Sequence, residues 1–155
     1  MSSPSPAVER YDVLILGGSM AGVEVLYQLR RKRRGRTLRV GVVDRQEVHG
    51  YIPLCQERLS RRLHDAHARL HTAGYVTAAP NAEMIVGTVT RMNSTARRVF
   101  LEDGRALEAE LIVVALGSVL APPAHRIPGV EGALGVKFDH EAHEVRDRLQ
   151  QLRAP

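Results

Sequence analysis

Apolar positions along this chain change period several times, and each change marks an element. Val13-Leu14-Ile15-Leu16 is an unbroken apolar run followed by two glycines, the pattern of a short strand buried on both faces. After the turn Gly17–Gly22 the period lengthens: Val23, Leu26 and Leu29 recur three apart, which places them on one helical face. A second buried strand is expected over Leu38–Val43. Gly50 and Pro53 mark a loop, and a helix is expected from about Leu54 to Leu70, closing near Gly74. Met84–Arg91 is rich in β-formers. Arg98–Leu101 and Arg105–Glu108 flank Glu102-Asp103-Gly104, and Asp-Gly between such runs signals a hairpin. Leu111–Ala115 is again continuously apolar, as buried parallel strands are, and it ends at Leu116-Gly117-Ser118. A Pro-rich loop with Pro122-Pro123 and Ile127-Pro128-Gly129 leads to a last helix. Asp139 is its expected N-cap, and Ala142, Val145, Leu149 and Leu152 form one stripe. Strands alternating with helices, with a hairpin inserted late, predict an α/β fold on a parallel sheet.

The turn between the first strand and helix carries chemistry. Gly17-Gly18-Ser19-Met20-Ala21-Gly22 matches the dinucleotide fingerprint G-x-G-x-x-G, with Ser19 where the second glycine stands. Gly17 permits the tight turn, Gly22 lets the helix pack on the strand, and Ser19 sits where backbone approaches a pyrophosphate. Serine adds a Cβ and a hydroxyl there, so the approach is tighter but not blocked. The helix start offers free N–H groups and a positive dipole end. Asp44 follows Gly22 by 22 residues, close to the ~20 at which the fingerprint places an acid for ribose hydroxyls. An ordinary βαβ unit with a glycine turn is the plain alternative. The order strand, turn, helix, strand, acid favours the nucleotide.

Composition narrows the picture. The chain has 155 residues, 44% hydrophobic and 25% charged, enough for one globular domain with a core. No run of 18 apolar residues exists, so no membrane span is expected. Residues 1–10 are Ser/Pro-rich without an apolar segment and read as a disordered lead rather than a signal peptide. One cysteine, Cys55, excludes an intrachain disulfide and fits a reducing, cytoplasmic setting. The net charge of +5 sits largely in Arg30–Arg36. That run reads as the cationic end of the first helix, stopped by Gly35. No aromatic residues are interleaved to stack on bases, so no nucleic acid partner is expected. His64, His67 and His71 share one face of the expected second helix, and His140 and His143 have the same spacing. A metal site is conceivable from imidazole alone, but no carboxylate or cysteine pattern completes it, and none is assigned.

Taken together, GGSMAG, the acid, the IPL loop, GTVTRMN, the VFLEDGRAL hairpin, LIVVALGS and IPG resemble the N-terminal FAD-binding part of the pyridine nucleotide-disulfide oxidoreductase superfamily. The resemblance covers residues 11–155 and looks most like type II NADH dehydrogenases and sulfide:quinone oxidoreductases. It implies a Rossmann-like FAD/NAD(P)-binding domain with a parallel sheet and an inserted antiparallel hairpin or meander. It also implies roles. Gly17, Gly18, Ser19, Met20, Ala21 and Gly22 would hold the FAD pyrophosphate. Asp44 would hold the adenosine ribose, with Arg45 beside it. Val89 would meet the adenine through its backbone, and Pro53-Leu54 would lie near the isoalloxazine. Ala115-Leu116-Gly117 would back onto the flavin phosphates, Leu116 replacing the usual threonine and its hydroxyl.

In complete members, NAD(P)H passes hydride to the flavin, and the electrons go on to quinone or a similar acceptor. A second glycine fingerprint, the Gly-Asp return segment and an interface domain do not occur in these residues. The resemblance therefore implies the FAD-binding first third of such an enzyme. It would work with a second chain supplying the NAD(P)H domain, or self-associate. A non-catalytic adenine-nucleotide-binding module is the second reading. Cys55 lacks the C-x4-C partner of the dithiol enzymes. Two readings of it stand: a single redox thiol facing flavin, or a packed, inert cysteine.

Overall fold

A computed structural model describes residues 8–32, 37–60, 65–119 and 128–153. In chain order the elements begin with strand β1 (Glu9–Leu16), helix α1 (Met20–Lys32), β2 (Val40–Asp44) and β3 (Val48–Gly50). A 3₁₀ turn at Ile52–Leu54, α2 (Cys55–Leu59), a 3₁₀ turn at Asp65–His67, β4 (Arg69–His71) and α3 (Thr72–Thr77) follow. The chain then runs through β5 (Ala82–Val86), β6 (Val89–Asn93), β7 (Arg98–Leu101), β8 (Ala106–Val114) and α4 (Asp139–Gln151). It divides into two compact units, residues 1–48 with 71–117, and residues 49–70 with 118–155.

The first unit holds a six-stranded sheet in the order β5-β2-β1-β8-β7-β6. β1 lies parallel between β2 and β8, with Leu16 opposite both Val43 and Val114, and β2 is parallel to β5. β6, β7 and β8 form the antiparallel part. Because side chains alternate across a strand, the sheet has two apolar faces. Val13, Ile15, Val40 and Val42 pack with Leu26 of α1 and with Val76 and Ala79 at α3. Leu14, Leu16, Val43 and Ile85 pack with Val99, Leu101 and Leu107 of the antiparallel strands. Both expectations for this region, a parallel α/β sheet and a late hairpin, describe the observed fold.

Several local expectations are corrected. β1 begins at Glu9, two residues inside the expected lead, because Glu9 and Arg10 pair with Leu107 and Glu108 and Arg10 adds an ion pair to Glu108 at 3.2 Å. Residues 1–7 lie outside the described set, as do Arg33–Arg36 and with them the expected stop at Gly35. The helix expected over 54–70 is instead α2, a 3₁₀ turn and β4. From Ala68 through β4 the burial alternates, Ala68 and Leu70 inside, Arg69 and His71 outside, which is the period of a strand. His67 and His71 therefore do not share a helical face, and His64 lies outside the described residues. The expected buried strand Leu111–Ala115 is parallel to β1, yet Leu111 and Val114 are more than half exposed. β7 pairs with β8 only as far as Glu108, so β8 continues with one neighbour in the sheet.

In the second unit β3 and β4 form a two-stranded sheet, and the Tyr51 N–H donates to the Ala68 carbonyl at 2.7 Å. α2 packs against α4, and Arg69 pairs with Asp139 at 3.4 Å. α4 starts at Asp139 with Phe138 as its cap residue, whose N–H donates to Glu141 at 2.9 Å. Of the expected stripe, Ala142 is buried, whereas Leu149 and Leu152 are exposed.

Candidate functional site

The C-terminal ends of β1, β2, β5 and β8 lie side by side, with Leu16 beside Val43 and Val114, and Asp44 beside Val86. In open α/β sheets this end, beside the strand where the order reverses, is where ligands sit. β1 is that strand: the chain runs outward from it to β2 on one side and returns to it as β8 on the other.

The turn leaving β1 is built by close backbone packing. The Gly17 N–H donates to the Val43 carbonyl at 2.8 Å, and the Ala115 N–H donates to the Leu16 carbonyl at 2.7 Å. Gly17 has φ of +105°, and a Cβ there would lie 2.2 Å from the Ala115 carbonyl oxygen. A Cβ on Gly22 would lie 1.9 Å from the Gly17 carbonyl oxygen. Only glycine fits either position. α1 begins at Met20, with no acidic residue in its first turn and three cations, Arg30, Arg31 and Lys32, in its last. Its first-turn N–H groups thus face a mouth free of local negative charge from the helix itself.

Asp44 ends β2 half-buried. Its Oδ2 accepts the Gly18 N–H at 2.7 Å, its Oδ1 accepts the Gln46 N–H at 3.2 Å, and its carbonyl accepts the Gly87 N–H at 2.8 Å. One residue therefore ties the glycine turn to the end of β5. Val89 opens β6 two residues past Gly87 and is partly buried.

The structure brings Gly17–Gly22, Asp44 and Ala115 together. Ser19 is half-buried, Met20 and Ala21 are exposed, and Arg45 is exposed beside Asp44. Leu116 and Gly117 are exposed, Gly117 at φ +75°. Pro53, Leu54 and Cys55 belong to the second unit, Pro53 exposed and the other two half-buried. Among the described residues no group of three or more His, Cys, Asp or Glu side chains could hold a metal ion.

One residue at the turn escaped the sequence reading. Thr72, fully buried at the start of α3, donates its hydroxyl to the Gly18 carbonyl. Its partner is 54 residues earlier, and no spacing rule connects them.

A large shift in proton affinity lies at the other end of the strands, on Tyr11. Burial, and then hydrogen bonding to Glu83 and Glu9, pushes the Tyr11 phenol far above its usual range. Burial acts upward on Glu83, but hydrogen bonds to Tyr11 and Arg39 outweigh it and hold the carboxyl below the usual carboxylate range. Arg39 pairs with Glu83 at 2.8 Å and lies over the Tyr11 ring at 4.5 Å. This cluster braces the sheet and is remote from the glycine turn.

The sequence model of the family described as pyridine nucleotide-disulphide oxidoreductase matches residues 11–155. The chain belongs to that family. Its members are FAD-dependent NAD(P)H oxidoreductases. Among its relatives, putidaredoxin reductase CamA of Pseudomonas putida is 33% identical over 126 residues, 80% of this chain and 28% of that protein. The ferredoxin–NAD(+) reductase subunit of the benzene 1,2-dioxygenase system of Pseudomonas putida is 29% identical over 126 residues, 76% of this chain and 29% of that protein. The fold is similar to that of sulfide:quinone oxidoreductase from Aquifex aeolicus. That likeness has a TM-score of 0.78 at 19% identity and covers 94% of this chain and 32% of that one. The 155 residues thus span less than a third of these family relatives. Among the described residues no helix is long and apolar enough to cross a membrane.

Proposed function

We propose that the glycine turn, the start of α1 and Asp44 bind the adenosine pyrophosphate of FAD, within an oxidoreductase that draws on NAD(P)H. The observation that carries this reading is the hydrogen bond from the Gly18 N–H to Asp44, which sets the ribose-type acid at the mouth of the phosphate-type turn. The residues fit the group. Gly17 and Gly22 admit no Cβ, which lets the turn close tightly on β8 and α1 pack onto the turn, and Ser19, Met20 and Ala21 place the first N–H groups of α1 where a pyrophosphate approaches. Asp44 is an acceptor of the type that ribose hydroxyls need, a carboxylate having about four lone-pair sites. Arg45 lies beside the ribose, and the backbone at Val89 meets the adenine. Ala115, Leu116 and Gly117 back the phosphates, while Pro53 and Leu54 serve the isoalloxazine.

Bound FAD supplies the exchange of electron pairs with a nicotinamide and of electrons with an acceptor. The chain's own residues bind and orient it. For the complete protein the acceptor in this reading is a ferredoxin-like electron-carrier protein, because one sequence relative is named a putidaredoxin reductase and the other a ferredoxin–NAD(+) reductase subunit. A quinone acceptor rests on a likeness at 19% identity. The NAD(P)H site lies beyond these 155 residues or on a second chain, and a cytoplasmic setting belongs to the same reading. The test is calorimetric titration of the purified chain with FAD and with ADP. Binding of both, lost in Gly22→Val, supports the assignment, and an absence of heat for both sinks it.

A further inference from the structure

We infer that Thr72 is a positioning residue for the phosphate-binding turn, acting through the peptide that joins Gly18 to Ser19. The inference rests on the nucleotide reading given above. Gly18 is held on both sides: its N–H donates to Asp44 at 2.7 Å, and its carbonyl accepts the Thr72 hydroxyl. A Cβ on Gly18 would lie 2.8 Å from the Thr72 Cγ2 and 3.4 Å from the Asp44 Cβ, so both side chains pack directly on this glycine. Thr72 is itself anchored. It is fully buried, and the next residue, Ala73, donates its N–H to the Glu47 carbonyl, three residues after Asp44.

The consequence follows from peptide geometry. A trans peptide is planar, and its C=O and N–H point in opposite directions. With the Gly18 carbonyl fixed on Thr72, the Ser19 N–H points the opposite way within the peptide plane, away from Thr72. Ser19 occupies the fingerprint position at which backbone approaches a pyrophosphate. Rotation of this one peptide would swing a donor out of the site and put an acceptor oxygen in its place, which repels a phosphate. The Thr72 hydroxyl excludes that rotation. In a turn where serine stands in place of glycine, the approach is already narrower, and the orientation of this N–H matters more.

The experiment compares Thr72→Ser with Thr72→Ala in the full chain, because these two differ by a single hydroxyl oxygen. ADP affinity is read by calorimetry, and the Gly18 and Ser19 amide signals by heteronuclear NMR. Thr72→Val, which keeps the branched shape without the donor, is measured beside them. The expected result is that Thr72→Ala and Thr72→Val bind ADP roughly three- to tenfold more weakly, the scale of one net hydrogen bond. Thr72→Ser should restore both the affinity and the amide positions. Equal affinity in all four proteins overturns the inference. So does equal weakening in Thr72→Ser and Thr72→Ala, which assigns Thr72 to packing by its methyl group. If the parent chain itself binds no ADP, the nucleotide reading fails instead. The amide signals then judge the orientation alone: unchanged positions in Thr72→Ala overturn it, and displaced positions restored in Thr72→Ser uphold it.

Discussion

The Gly18 N–H donates to Asp44 Oδ2 at 2.7 Å across a sequence gap of 26 residues, so the acid that ends β2 and the turn that ends β1 form one object. Removing the carboxylate unties the turn and, in the proposed reading, removes the ribose acceptor together. Asp44→Ala should weaken ADP and FAD alike, by about 1.5–3 kcal/mol, the range for hydrogen bonds to a charged group. Parallel titrations of parent and variant check this, and equal affinities would count against Asp44 as a ribose ligand.

Gly22 admits no side chain because a Cβ would lie 1.9 Å from the Gly17 carbonyl oxygen, a backbone atom that cannot move aside without opening the turn. Gly22→Ala should therefore abolish ADP binding and lower the thermal midpoint. The destabilisation should be of order 1–3 kcal/mol, as for other overpacked sites. A Gly22→Ala protein with the parent's affinity and midpoint would show that the turn is looser than its contacts imply.

The Glu83–Arg39 pair gives a pH signature. Glu83 is held below its ordinary value of 4.5 in the folded chain, so its contribution is fully present above that value and disappears as pH falls through the lowered one. Both partners are about half exposed, and solvent screening limits the pair to at most about 1 kcal/mol. Glu83→Gln should be slightly less stable than the parent at pH 7, and the two should converge as pH falls below the lowered value. Denaturant midpoints measured across this range test it. A difference that grows on acidification would have the wrong sign.

A last expectation concerns turnover. The sequence carries one glycine fingerprint, and hydride transfer needs donor and acceptor held about 3–3.5 Å apart. These 155 residues with added FAD should show no NADH oxidation above free flavin, and ADP and FAD should bind with similar strength because both use the same half of the site. NADH consumption by a homogeneous preparation would place a nicotinamide site within the chain.

What was legible in the sequence follows the range over which its signals act. The run Val13–Leu16, the glycine turn, α1 and the Asp-Gly hairpin are set by neighbours within a few residues, and their periods are strong. The segment 48–71 was misread because β3 and β4 are three residues each. Two buried positions, Ala68 and Leu70, are too few to establish a period against a background of arginine and histidine. The exposure of Leu111 and Val114 was invisible for another reason: an apolar run records what a strand can bury, not whether a second neighbour is present. Thr72 carries no pattern, since its meaning comes entirely from a glycine far upstream.

β1 and β8 are neighbours in the sheet although Val13 and Leu111 are almost a hundred positions apart. Loop closure on that scale is slow, whereas β7 and β8 meet across a turn of a few residues and can close in microseconds. β1 therefore waits far longer for β8 than for its other neighbour β2, and the finished hairpin arrives as a preassembled edge onto which β1 locks. Pulse-labelled hydrogen exchange should accordingly protect the amides of Val99 and Leu107 before that of Leu16, whose backbone polar groups face β8, and the glycine turn, hanging from the end of β1, takes shape only when the whole sheet closes.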